Sequence, residues 1–197
     1  MKVKQQLTRK YYKYVTVESS WTQPVLSSNG TIGVDNFAVS ATNTTDGQAY
    51  YPFTSNNYWM GGNNVSYIMY SNNALCIKHL GFAGYKHTQG FFRKYYFIKN
   101  FTFYGSNDGN SWTNLGTFSN NTHNFISFEI NNNNFYKYYK IFITDVENTG
   151  TLMNMQLTAT QQTTSTVEST EDDYDFYKDK IALNAFLDNN VYKAMKF

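Results

Sequence analysis

Three histidines, His79, His87 and His123, stand singly along the chain, and none has a second ligand at a metal spacing such as His-x-x-x-His. No Gly-x-Ser-x-Gly elbow presents a serine nucleophile, and no glycine-rich loop is laid out to cradle phosphate. Glycoside hydrolysis needs two facing carboxylates. Acids are few, Glu129 lies within an alternating strand, and no spacing brings a pair such as Asp108 and Asp145 together. The single cysteine, Cys76, sits in the apolar run Ala74-Leu75-Cys76-Ile77, which reads as a buried, inert thiol with no intramolecular disulfide. What the residue types do offer is recognition. Phe, Trp and Tyr make up 19% of the chain, more rings than a core of this size needs, and 25 Asn supply amides beside them.

Charge narrows the class further. Residues 1–13 carry five basic and no acidic side chains, 14–160 carry seven of each sign, and the remainder has an excess of three acids. A near-neutral body with a basic arm and an acidic tail lacks the basic face that nucleic acid requires. Met1-Lys2-Val3-Lys4-Gln5-Gln6-Leu7 has a charged start but no apolar h-region, so no Sec signal peptide is expected, and no later stretch is apolar enough to span a bilayer.

Alternation sets the elements that must position these rings. Phe101 and Phe103 share one face of a strand that ends in Ser106-Asn107-Asp108-Gly109, a turn whose residues tolerate positive φ, and Trp112 restarts the chain. Ile126, Phe128 and Ile130 share a face before Asn131-Asn132-Asn133-Asn134, and Tyr139, Ile141 and Ile143 share one after it, which predicts a hairpin closed by the Asn run. Met153, Met155, Leu157 and Ala159 line up in a last strand. With little helical period before residue 160, the fold class is all-β, a sandwich or barrel of short strands. Residues 161–175 read as a polar and acidic linker, and 176–197 as a short amphipathic element that either folds back or docks on a neighbour.

The stretch from Phe101 to Trp112 resembles the signature of the discoidin, or coagulation-factor type C, domain: an aromatic strand followed by Ser-x-Asp-Gly-x-x-Trp. Further blocks fall in the family's order. They are Phe37 to Thr42, Ala49 to Trp59, Tyr67 to Tyr70 with Ala74 to Leu80, and Tyr138 to Val146 with Leu152 to Leu157. The resemblance covers residues 14–160 and implies an antiparallel jelly-roll β-sandwich, galactose-binding-like, of a non-enzymatic kind that binds sugars or membrane surfaces. Tyr11 to Tyr14, Trp21 to Leu26 and Asn29 to Thr31 are also similar to leader segments of such domains in phage fibre proteins.

The resemblance implies sugar sites in loops at one end of the sandwich, with an aromatic platform and polar groups around it. Its candidates here are Asn57, Tyr58 and Trp59, with Asn63 and Asn64 in the same stretch, then His87 and Arg93 in the Tyr85–Arg93 segment, and Asn148 in the closing loop. Asn107, Asp108, Gly109 and Trp112 are expected to be structural, with Trp112 packed in the core under its turn. Phe91-Phe92-Arg93-Lys94 is the one segment with apolar residues beside basic ones, as a membrane spike would have. Many sugar-binding members hold a structural calcium with an early Asp and a late Glu. Thr54 and Asn154 stand at those places, so no tight calcium site is expected, the alternative being a weak one built on carbonyls and Asp46. The functional expectation is a glycan-binding module of a phage virion, made in the host cytoplasm, with other virion subunits contacting the N-terminal arm and residues 176–197. A purely structural decoration protein and a free cytoplasmic or unconventionally secreted lectin are the alternatives.

Overall fold

The computed structural model describes residues 11–28, 37–54 and 57–169. The chain divides into two compact units, Glu18–Thr163, and Met1–Val17 together with Thr164–Phe197. Among the described residues there is no α-helix. Eleven strands follow in order: β1 (Tyr11–Trp21), β2 (Phe37–Ala41), β3 (Thr44–Asp46), β4 (Tyr58–Gly61), β5 (Val65–Ala83), β6 (Tyr85–Gln89), β7 (Phe92–Ser106), β8 (Thr113–Phe118), β9 (Ile126–Glu129), β10 (Tyr136–Glu147) and β11 (Gly150–Ser169). Among the described residues a 3-10 turn, Tyr51–Phe53, precedes β4.

The long strand β5 organises the sandwich. Its first part, Val65 to Ser71, pairs antiparallel with β2 on one edge and β10 on the other, and β10 continues to β7 and β8. Its second part, Ala74 to Ala83, pairs instead with β11 and β9, and β11 continues to β4 and β3. One antiparallel sheet therefore curls through β5 and packs its two halves face to face. Val65, Tyr67 and Met69 point inward while Ser66, Ile68 and Tyr70 stay half-buried, the period-two pattern of a strand with one covered face. Rings close the core between the halves, with Phe82 and Phe101 centroids 5.4 Å apart and Phe101 edge-on to Phe128 at 5.2 Å. Side chains of this kind each contribute about 1.5–3 kcal/mol by burial.

Three sequence expectations change here. β9 and β10 do not form a hairpin: β9 pairs with the second part of β5 and β10 with the first, so the Asn run crosses between the halves. Asn132 is buried and makes that crossing possible by satisfying its own turn, accepting from the Asn134 N–H and donating to the Asn134 carbonyl, each at 2.9 Å. β11 runs on to Ser169, with Gln161 and Gln162 paired to Leu75 and Ala74, so the polar stretch read as a linker begins as strand. The rest of that linker and the element at 176–197 lie outside the described residues, as do residues 1–10 of the basic arm. Third, β11 carries a bulge between Met153 and Gln156 with Asn154 at φ 52°, which puts Leu152 and Met155 inside and turns Met153 partly outward.

Candidate functional site

Tyr58 begins β4 with its ring half-buried, while the next side chain, Trp59, points the other way and is fully buried. The turn after β3 brings Asp46 to Tyr58. Gly47, at φ 74°, lies so close to β4 that a Cβ there would come 2.1 Å from the Tyr58 carbonyl oxygen. A glycine is therefore required, and it seats Asp46 beside Tyr58, whose hydroxyl points at Asp46 Oδ2 from 3.4 Å. Burial first, and the Asp46 charge second, raise the Tyr58 phenol above its ordinary pKa, so it stays protonated as a donor.

The β6–β7 hairpin supplies the remaining rings. Its register pairs Tyr85 with Tyr96 and His87 with Lys94, so these four side chains share one face. The Tyr58 and Tyr85 rings lie 4.8 Å apart at 30°, Tyr85 and Tyr96 6.2 Å apart, and Lys94 Nζ sits 5.1 Å from the Tyr96 ring centre. His87 is exposed and 6.3 Å from Tyr85. The result is a strip of mutually tilted rings bordered by one carboxylate, one imidazole and one ammonium. Such a strip can stack on the apolar face of a flat ligand and hold hydroxyls at its margins.

Solved structures share this architecture. The fold is that of the family 32 carbohydrate-binding modules. One such module from Clostridium perfringens, solved with GalNAc-β-1,3-galactose, superposes at a TM-score of 0.51 with 12% identity, over 62% of this chain and 94% of that one. Another, from the C. perfringens protein NanJ in complex with galactose, gives 0.50 with 16% identity over 73% and 99%. No family model matches the sequence, and no curated protein matches it.

Like those modules, the chain is a β-sandwich, but its predicted site residues part company. Trp59 is a correction: at 0% exposure its ring packs 5.2 Å from Tyr67 and its Nε1 donates to Thr44 Oγ1 at 2.9 Å, so it is core and cannot serve as a platform. Arg93 pairs with Thr88 and faces away from His87, on the side of the hairpin that carries Lys86 and Tyr95. Asn148, at φ 57°, donates its amide to the Tyr95 carbonyl at 2.7 Å and so ties the β10–β11 turn to the hairpin base. Asn57 is exposed and donates to Thr54 Oγ1 at 3.2 Å. Asn63 and Asn64 lie beyond the far end of β4 from Tyr58. Of the eight candidates, only Tyr58 and His87 share the tyrosine strip. Asp46, Tyr96 and Lys94 were missed as members; the alternation Tyr85-x-His87 and Lys94-x-Tyr96 carried a signal for the hairpin pair, whereas Asp46 carried none.

The turn that marked the family is wired internally. Asp108 Oδ1 accepts from the N–H groups of Asn110 and Ser111 at 2.8 and 2.7 Å and from Ser106 Oγ at 2.9 Å, bonds that hold its carboxyl well below the usual carboxylate range. Asn107 clamps the turn to β10 through the Phe135 carbonyl and the Lys137 N–H. Trp112 departs from expectation. It is half-buried outside the core, with Lys140 Nζ 4.0 Å above its ring and 4.9 Å from that of Tyr104.

Thr54 and Asn154, where the resemblance puts calcium ligands, do line a common groove. Its lining residues include no Asp or Glu, and no group of three His, Cys, Asp or Glu could hold a metal among the described residues. Asp46 is not part of that groove and is engaged with Gly47 and Tyr58. Hard-cation chemistry needs carboxylate charge, so these residues do not fit calcium.

Proposed function

We propose that this chain is a non-enzymatic carbohydrate-binding module whose ligand stacks on the Tyr58–Tyr85–Tyr96 strip. The observation that carries the reading is the close, tilted approach of Tyr58 and Tyr85, 4.8 Å apart, with Asp46, His87 and Lys94 at its border. Aromatic rings contact the C–H face of a sugar, and the flanking groups accept from and donate to its hydroxyls. A fold shared with sugar-binding modules supports the class of ligand. A glycan array probed with the wild-type chain and with Tyr58→Ala and Tyr85→Ala tests it. Saturable binding of at least one glycan that both substitutions weaken at least tenfold is expected, and binding to no glycan, or binding of every glycan indifferent to both, would refute it.

A second reading concerns the ends of the chain. The basic stretch 1–13 and the amphipathic stretch 176–197 flank the sandwich in the sequence, which suits assembly arms of a larger particle. In this reading the particle is a phage virion, as the leader motifs suggest. Capsid or tail genes beside the coding sequence would support the virion, and a change in oligomeric mass on deleting residues 164–197 would support the arm.

A further inference from the structure

The groove that does not fit calcium has a chemistry of its own. It is an open depression of about 550 Å³ between the 3-10 turn, β11 and the segment before β9, and every described side chain lining it is uncharged. Phe125, 45% exposed, forms part of its wall. The Phe125 ring lies against Gly81 of β5, where a Cβ would come within 2.7 Å of it. A glycine at that point lets the ring rest on the strand while much of its surface stays open.

Amides and a hydroxyl complete the lining. Asn154 occupies the bulge of β11 in the left-handed region, outside the ladder pairing, and is exposed to the groove, as is Gln156. A non-glycine residue held at positive φ within a strand costs conformational energy that regular pairing would avoid, which makes the bulge a place to look for a role. Thr54 Oγ1 is oriented by donating to the Tyr51 carbonyl at 2.8 Å and accepting from Asn57. Gln23 is spent on the scaffold: its amide bridges the Met155 carbonyl and the Leu157 N–H at 2.7 and 2.6 Å, so it shapes the wall without contacting a ligand.

We propose that this groove is a second binding site, for an uncharged saccharide that stacks on Phe125 and is held through its hydroxyls by Asn154 and Gln156. Aromatic surface beside neutral donors and acceptors satisfies a sugar's apolar face and its hydroxyls together. A charged ligand finds no counter-charge among the described lining residues, so the site favours neutral sugars over uronic acids and over sugars with a free amine. The tyrosine strip, bordered by Asp46, His87 and Lys94, has no such restriction. The second site therefore stands or falls apart from the first.

The test is a titration of the full 15N-labelled chain with methyl glycosides of glucose, galactose and mannose, with N-acetylglucosamine, and with glucuronate as the charged control, following the side-chain amide signals of Asn154 and Gln156. At least one neutral sugar is expected to shift both signals saturably while glucuronate does not. Phe125→Ala and Gln156→Ala should each weaken that response at least tenfold, and Tyr58→Ala should leave it unchanged. Gln156 is exposed, so its substitution keeps the test clean even where loss of the Phe125 ring disturbs packing on Gly81. No shift with any neutral sugar, an equal shift with glucuronate, or a response that survives both groove substitutions would overturn the proposal.

Discussion

At its C-terminal end β7 runs into the Ser106–Ser111 turn, where one carboxylate accepts three hydrogen bonds and Asn107 fastens the loop to β10. At its N-terminal end the same strand leaves the Gly90 reversal, with Phe91 at 105% and Phe92 at 84% exposure. Among the described residues, the side chains of the hairpin there make ring and cation–ring contacts, and its base is held by Asn148. The two ends show how one strand divides labour. Internal hydrogen bonds consume the polar groups of the first turn, leaving it little with which to recognise anything, whereas the hairpin keeps its polar groups and rings available. The turn that typifies the fold and the proposed binding strip therefore sit at opposite ends of β7.

Several experiments would sharpen or break that division, and the largest effect belongs to the core between the two ends. Trp59→Ala should destabilise the chain by about 3–5 kcal/mol in urea denaturation, as expected for truncating a fully buried ring. Its neighbour Tyr58→Ala should cost about 1 kcal/mol or less yet weaken binding of the glycan held by the tyrosine strip at least tenfold; equal costs would mean that β4 does not separate core from site. Next, Tyr85→Ala should weaken glycan binding at least tenfold in titration calorimetry with an unchanged m-value, placing the effect in the hairpin and not in folding.

Asp108→Ala is the mirror experiment. It should lower the thermal midpoint and leave glycan affinity unchanged. Because the folded carboxyl titrates below its unfolded value, its stabilisation is present above the ordinary carboxylate range, near pH 4, and is lost as pH falls through the folded pKa. The gap in midpoint between wild type and Asp108→Ala should therefore be widest near neutral pH and close in acid. A gap that persists in acid would assign the effect to the side chain's shape instead of its charge. The smallest expected effect is that of calcium: millimolar calcium or a chelator should shift the midpoint by less than about 1 °C, since a cation that does not bind the folded state cannot stabilise it. A larger shift would show that the neutral groove, or another site, holds calcium after all.

Much of the fold was legible because strand alternation is local. Phe101 and Phe103, Tyr139, Ile141 and Ile143, and Leu157 and Ala159 are buried, as their spacing indicates. The expected hairpin around the Asn run failed for an equally definite reason. Alternation says which side chains share a face but not which strand lies alongside, and β9 and β10 pair with different parts of β5. Trp112 failed because its position after the turn does not say which side the ring takes, and Lys140 draws it onto the outer surface.

The sequence by itself determined an all-β chain, the inward and outward faces of its strands, a turn built around Asp108, and a surplus of rings and amides suited to recognition. Only the tertiary structure decided that Asp46 meets Tyr58, that His87 and Arg93 face opposite ways, and that Thr54 and Asn154 border one neutral groove. Those meetings depend on register between distant segments and on close approaches such as Gly47 against β4. Local spacing cannot encode them, because they follow from how the whole sheet curls through β5 to cover its apolar face.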